Sequence, residues 1–234
     1  MTEHVLPYDR AIVAQETGYW CGPASAQTVL NSRGIHVAEA QLAREIGTTW
    51  NGTDFVGLIE RVLDARVPEA GYTSVDMPND PPTDGQKARL WEHLVASIDA
   101  GWGVIANIVA PPSNYPRGVK GSVSPAYSGG TVYHYIPVMG YDDDPAGRAV
   151  WVADSGFRPF GYWMSFEQLA SLIPPKGYAY AAAAPRLPIA DVELSKKFAS
   201  RSKYRESDKP IGTLADFILW IDARIHERYT EDRA

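Results

Sequence analysis

The sequence predicts an α+β domain in which helices come first and a mainly antiparallel β-sheet follows. Two observations carry this prediction. Between residues 22 and 100 apolar side chains recur at helical spacing, whereas beyond residue 103 they gather into short apolar runs bounded by Gly, Pro and Asp. Because the helices precede the strands instead of alternating with them, the sheet is expected to be mainly antiparallel.

The elements follow in order. Val5 to Gln15 is short and mixed, a strand or extended arm. Gly22 to Ser32 fits a helix: Pro23 stands in the first turn, where its missing N–H costs nothing, Ala26, Val29 and Leu30 share a side, and Gly34 stops the run. A second helix fits Val37 to Ile46 and ends at Gly47. A third should start with Thr53 or Asp54 as its N-cap and turn Phe55, Leu58, Ile59, Val62 and Leu63 toward the core. The polar, proline-rich "DMPNDPPTDG" is a loop, and a fourth helix begins at Gln86, carries Leu90, Leu94, Val95 and Ile98, and stops at Gly101. Strand candidates cover 103–110, 131–143, 149–156 and 177–185. The stretch 111–130 between the first two is rich in Pro, Gly, Ser and Tyr, and loops of this length inside compact domains are usually functional or mobile.

The composition shifts after Pro188, which divides the chain into a main domain at 1–187 and a tail at 188–234. The tail reads as a basic linker followed by an amphipathic helix with Leu214, Phe217, Ile218, Ile221 and Ile225 on one face. That face needs a partner: the main domain, a downstream module absent from this chain, or a second subunit.

Composition narrows the function classes. Of 234 residues 45% are hydrophobic and 21% charged, as in ordinary folded domains. The net charge of −6 argues against a dedicated nucleic-acid binder, and no window is long and apolar enough for membrane insertion. A single cysteine excludes an internal disulfide and fits synthesis in a reducing cytoplasm. The N-terminal stretch has no secretory signal pattern, so work outside a membrane would need something else to let the protein out.

That one cysteine, Cys21, stands at the mouth of the first helix in "QETGYWCGPASAQTVL". A free cysteine is often only a small buried hydrophobe. At a helix N-terminus, however, the dipole and unpaired N–H groups favour a thiolate, and a thiolate is a nucleophile. Among five histidines, His134 alone lies inside an apolar strand, "VYHYIPVMG", where an unpaired imidazole is costly. Asp154 closes the next apolar run, "VWVAD", and a turn around "DDDPAGR" would bring it to His134. Cys21, His134 and Asp154 then make nucleophile, base and orienter, although a structural His–Asp hydrogen bond would account for the two strands as well. Gln15, six residues before Cys21, is placed to donate to a developing oxyanion beside the Cys21 N–H. Tyr19, Trp20, Trp50, Tyr115, Tyr127 and Tyr133 are candidates to line a substrate cleft, or else ordinary packing aromatics. There is no close His/Cys/Asp cluster with zinc spacing, and neither metal nor cofactor is expected.

Q-x5-C-G-P opening a helix, then a strand with histidine, then a strand ending "ADSG", resembles the papain-like cysteine peptidases related to bacteriocin leader-processing (double-glycine) peptidases. The resemblance covers about residues 10 to 185 and implies the papain-like fold, with Cys21 as nucleophile, His134 as base, Asp154 as orienter and Gln15 as oxyanion residue. No transporter segment accompanies it here, and the 111–130 loop is extra, which makes that loop a candidate for substrate selection. With the basic "SRSKYR" segment and the helix-like "GTLADFILWIDARIHE", the chain also looks like the N-terminal part of endolysins of phages that infect mycobacteria and related actinobacteria. This second likeness implies hydrolysis of an amide bond in the peptide stem or cross-link of bacterial peptidoglycan. It also implies synthesis in the host bacterial cytoplasm and access to the wall through a separate pore-forming factor. Two rivals stay open: a transferase of the transglutaminase type, since the site commits to acyl transfer but not to water as acceptor, and an inert wall-binding module of the same fold.

Overall fold

A computed structural model describes residues 3–182 and the backbone of two short strands, 197–198 and 212–213. The chain divides into two units, Met1–Pro185 and Arg186–Ala234. In the second, Lys197–Phe198 pairs antiparallel with Gly212–Thr213; the predicted tail helix from Leu214 and the rest of the basic linker lie outside the described residues.

The first unit is α+β. Its helices are α1 (Cys21–Asn31), α2 (Glu39–Ile46), α3 (Gly57–Arg66), α4 (Asp84–Asp99) and α5 (Phe166–Leu172). Its strands are β1 (Glu3–Val5), β2 (Tyr72–Asp76), β3 (Val104–Ala110), β4 (Val132–Asp142), β5 (Ala149–Val152), β6 (Tyr162–Ser165) and β7 (Gly177–Ala181). They form one sheet in the order β2-β7-β3-β4-β5-β6, with β1 added to β4, and every pairing is antiparallel.

Four predicted helices are present, with shifted ends. α4 starts at Asp84 because Thr83 closes a capping box with Gln86, which the periodicity of the apolar residues does not register. α2 ends on Gly47 in the left-handed conformation (φ 82°) that glycine adopts without strain. α3 departs further from expectation: Val56 precedes its first turn, so neither Thr53 nor Asp54 caps it. Phe55, expected in the core, is 57% exposed, because it precedes the helix and does not share its buried face. The elements β2, β6 and α5 were not predicted. The two strands have five and four residues, and α5 has seven, too few to establish a period.

The site is positioned by a change of partner along β4. One edge of β4 pairs with β3 from Val132 to Val138 and then with β1 from Gly140 to Asp142. On the other edge β5 covers only Val138 to Asp142, across a bulge between Val138 and Gly140. The last contact there is the Ala153 N–H on the Pro137 carbonyl, at 3.0 Å. Beyond it no strand among the described residues lies on that edge of β4, and α1 fills the place. Ser25 Oγ donates to the Tyr135 carbonyl at 3.2 Å, and the Tyr135 N–H donates to the Cys21 sulfur. The helix is pressed there by a continuous core that includes Ala26, Val29 and Leu30 from α1 and Ile108, Ile136 and Val138 from the sheet. Burial of such side chains contributes roughly 1.5–3 kcal/mol each.

Candidate active site

Cys21 and His134 sit on the helix start and strand the sequence assigned to them, whereas Asp154 lies past the end of β5, which stops at Val152 and not at 156 as expected. Cys21 is the first residue of α1, and no side chain caps that helix. Its sulfur accepts from the N–H of Tyr135 and from that of Gly22. Gly22 is required by packing: a Cβ there would come within 2.5 Å of Thr53 Oγ1, because the loop from Thr48 to Thr53 lies against the first turn of α1. Thr53 is fixed in turn by Thr48, hydroxyl to hydroxyl at 2.7 Å, and its carbonyl accepts from Tyr135 Oη at 3.2 Å.

His134 is 4% exposed and hydrogen-bonds Asp154 Oδ1 through Nε2 at 3.0 Å. Its ring also bonds the Cys21 sulfur, and with Nε2 committed to the aspartate, Nδ1 is the nitrogen that remains. Asp154 is fully buried, and its carboxylate is surrounded by donors. Oδ1 takes His134, the Gly156 N–H at 3.0 Å and the Phe157 N–H at 3.2 Å; Oδ2 takes Tyr127 Oη at 2.8 Å and Tyr162 Oη at 3.0 Å. A buried carboxylate is tolerable only when satisfied in this way.

These contacts decide the charges. Burial would push the Asp154 carboxyl up, but the His134 charge and the donors hold it below its ordinary value. Burial would likewise lower His134, yet the Asp154 charge and hydrogen bond raise it to about 10. For Cys21 the cost of burial is outweighed by the hydrogen bond and charge of His134, and then by the two backbone N–H groups, so the thiol lies below its usual range. The contacts favour the thiolate–imidazolium form of the pair, a nucleophile with a proton donor beside it.

Gln15 is pinned on three sides. Its N–H donates to the Ser155 carbonyl at 3.0 Å, its Oε1 accepts from Ser155 Oγ at 3.0 Å, and its Nε2 donates to the Thr17 carbonyl at 2.6 Å. The second Nε2 hydrogen has no partner among the described residues. Gln15 and His134 flank Gly156: a Cβ at that glycine would stand 2.9 Å from the ring of His134 and 3.6 Å from Gln15 Oε1. Gly156→Ala is therefore expected to displace the imidazole and lower kcat/KM by about 10²-fold. Thermal unfolding and steady-state kinetics on one preparation check that activity falls far more than stability.

A family model described as "Peptidase_C39 like family" matches residues 8–170. The chain belongs to this family. Cys21, His134 and Asp154 all lie within the matched residues. Two uncharacterized proteins, from Methanothermobacter marburgensis and Methanothermobacter thermautotrophicus, are 51% and 47% identical to it over 51 residues, 22% of this chain. The chain covers 36% of the length of each of these relatives. Among solved structures, the peptidase domain of Streptococcus ComA, a bi-functional ABC transporter, is 18% identical with a TM-score of 0.42, over 72% of this chain and 96% of that one. A double-glycine-motif protease from an AMS/PCAT transporter, in complex with the leader peptide, is 13% identical with a TM-score of 0.43, over 78% and 100% of the two chains. UfSP from C. elegans is 11% identical with a TM-score of 0.44, over 75% and 32%.

The six aromatic candidates separate in the structure, and Tyr19 is exposed. Trp50 is 79% and Tyr133 67% exposed, on either side of the site in sequence, and Trp20 is half-buried next to Cys21. Tyr127 corrects the expectation: it is buried, with its hydroxyl on Asp154 and its ring stacked on Phe157 at 3.8 Å, so it braces the dyad from behind and lines no cleft. Tyr115 is half-buried and closes the 111–130 loop by donating to the Gly130 carbonyl at 2.6 Å. That loop is tied down as well by Val119 N–H to the Trp163 carbonyl and Ala126 N–H to the Arg158 carbonyl, which is how Tyr127 reaches Asp154.

Tyr162, Gly156 and Glu39 were missed. Tyr162 lies in an unpredicted strand, and Gly156 was read only as part of "ADSG". Glu39 has no sequence signal beyond its place in the first turn of α2. It is 1% exposed, accepts the Glu16 N–H on both oxygens at 3.2 and 3.1 Å, and so holds the residue after Gln15. Burial, against the Glu16 N–H bond and with the Glu16 charge, raises it from 4.5 to about 7. Between those two pH values the folded protein keeps a proton that the unfolded chain has lost, so this group lowers stability as pH rises through that window. Glu39→Gln keeps an acceptor for the N–H and is expected to exceed the wild type at pH 8 by on the order of 2 kcal/mol. Urea unfolding at pH 5 and pH 8 should show the gain at the higher pH only. Among the described residues no group of three or more His, Cys, Asp and Glu is arranged to hold a metal ion, and no helix is long and apolar enough to cross a membrane.

Proposed function

We propose that this protein is a cysteine peptidase that hydrolyses an amide bond in the peptide stem or cross-link of bacterial peptidoglycan, in phage-induced lysis of the host. The observation that carries the chemistry is the buried chain from Cys21 through His134 to Asp154. The Cys21 thiolate attacks the amide carbonyl, forming a C–S bond, while the Cys21 N–H and the free Nε2 hydrogen of Gln15 receive the oxyanion. His134 Nδ1 gives its proton to the departing amine as the C–N bond breaks. Water then attacks the thioester with His134 as base, releasing the acid and restoring the thiolate–imidazolium pair. Asp154 keeps the ring oriented throughout.

The substrate rests on the likeness of the motif and basic tail to actinobacteriophage endolysins. In that setting the protein is made in the host bacterial cytoplasm and reaches the wall after a separate pore-forming factor opens the membrane. Digesting purified actinobacterial peptidoglycan and identifying the fragments by mass spectrometry tests reaction and substrate together. New amine and carboxyl termini, with the mass of one water gained per cut, are expected. Joined chains with no water gained would show a transferase, and an unchanged wall would overturn the substrate.

A further inference from the structure

We propose that the groove beside the Cys21 helix is a subsite for a free carboxylate on the peptide substrate, held by Arg44 between aromatic walls. The inference rests on the peptidase reading above and adds the chemical class of residue that flanks the cut bond. The groove has a volume of about 270 Å³ and is lined by Tyr19, Trp20, Arg44, Thr48, Thr49 and Trp50 among others. It lies beside the start of the Cys21 helix: Trp20 precedes Cys21 in the chain, and the loop carrying Thr48 to Trp50 continues to Thr53, which packs on Gly22.

Three features point to the occupant. The exposed Arg44 guanidinium makes no hydrogen bond or ion pair with any described residue and feels Glu45 only through its charge. Its chain neighbour Glu45, the obvious acid to neutralise it, is turned instead to Arg66, which grips both carboxylate oxygens at 2.9 and 2.6 Å. With the Glu45 oxygens taken by Arg66, the Arg44 fork is open in the groove, and its geometry matches a carboxylate. Finally, Trp50 is 79% and Tyr19 41% exposed, which leaves apolar ring surface in water at the groove's rim until a ligand covers it. A peptide with a free acid next to an aliphatic stretch satisfies both.

The test uses the full chain carrying Cys21→Ala, which binds without turnover, with and without Arg44→Gln, and follows tryptophan fluorescence. The probes are a synthetic wall stem pentapeptide as the free acid and with its carboxyls amidated, together with an unrelated Ala/Glu pentapeptide and its Ala/Gln counterpart. The free-acid stem peptide is expected to bind about tenfold more tightly than the amide, with that ratio collapsing toward one in the Arg44→Gln protein. Arg44→Lys should restore part of it, since the charge returns without the fork. An acid-to-amide ratio near one, or one unchanged by Arg44→Gln, overturns the subsite, as does absence of binding by every acidic probe. If the unrelated acidic peptide shows the same Arg44-dependent preference and the stem peptide binds no better than it does, the wall substrate falls while the subsite stands.

Discussion

Cys21→Ser is expected to abolish hydrolysis, with kcat/KM down by at least about 10³-fold, while thermal unfolding stays close to that of the wild type. The hydroxyl fits the space of the thiol, but at neutral pH it is not ionised, and nothing at this site would make it so. His134 and the two backbone N–H groups that favour a thiolate cannot bring an alcohol, many units less acidic than a thiol, to ionise. His134→Ala should cost as much activity for the complementary reason: Cys21 then keeps the penalty of burial and loses the charge and hydrogen bond that offset it. Alkylation by iodoacetamide separates this from general damage. The wild type should react readily at pH 6, where an ordinary thiol is protonated, and His134→Ala should react at least about tenfold more slowly. Equal labelling of the two proteins, or substantial hydrolysis by Cys21→Ser, would remove Cys21 from the role of nucleophile.

Asp154→Ala has the largest expected effect on the fold, a loss of about 3–5 kcal/mol, because it removes the one acceptor on which five donors converge. The imidazole loses its counter-charge, the phenols of Tyr127 and Tyr162 are left buried without their acceptor, and the 111–130 loop loses its anchor on the 154–157 turn. The pH dependence gives a second reading of the same pair. Asp154, lowered in the folded state, contributes stability that is present above its unfolded value and lost as pH falls through its folded one. His134, raised to about 10, contributes stability that is complete below its unfolded value near 6.5 and lost as pH rises through about 10. Wild-type stability should thus fall at both extremes, and in Asp154→Ala both slopes should flatten. Chemical denaturation at pH 3, 7 and 10 measures this; a loss below about 1 kcal/mol at pH 7 would mean the donors find other partners and the aspartate braces nothing.

Much of this was legible in the sequence because it is written in local periodicity. α1, α2, β3 and β4 announce themselves by the spacing of apolar residues and by Gly and Pro at their ends. The nucleophile and base stand out as chemically expensive residues in otherwise apolar or helix-starting stretches. Tyr127 shows where that logic stops. A tyrosine in a Pro/Gly/Ser-rich loop looks like a cleft residue, and only the return of the loop over β6 reveals that its hydroxyl ends on a buried carboxylate. Glu39 shows the same limit in reverse, since a glutamate in the first turn of a helix normally faces water, and here the Gln15–Trp20 segment covers it.

The sequence by itself singled out the residues suited to chemistry and the kind of element for two of them: a thiol at a helix N-terminus and an imidazole within a strand, with the carboxylate falling two residues past the strand it was expected to close. These are properties of the chain within a few residues of each position. The tertiary structure decided what brings them together and what charge they carry. β5 leaves β4 at Ala153 and α1 takes its place, so that Cys21 meets the Tyr135 N–H and the His134 ring. The reason is physical: charge states depend on burial and on donors contributed from more than a hundred residues away, and a one-dimensional pattern carries no record of either.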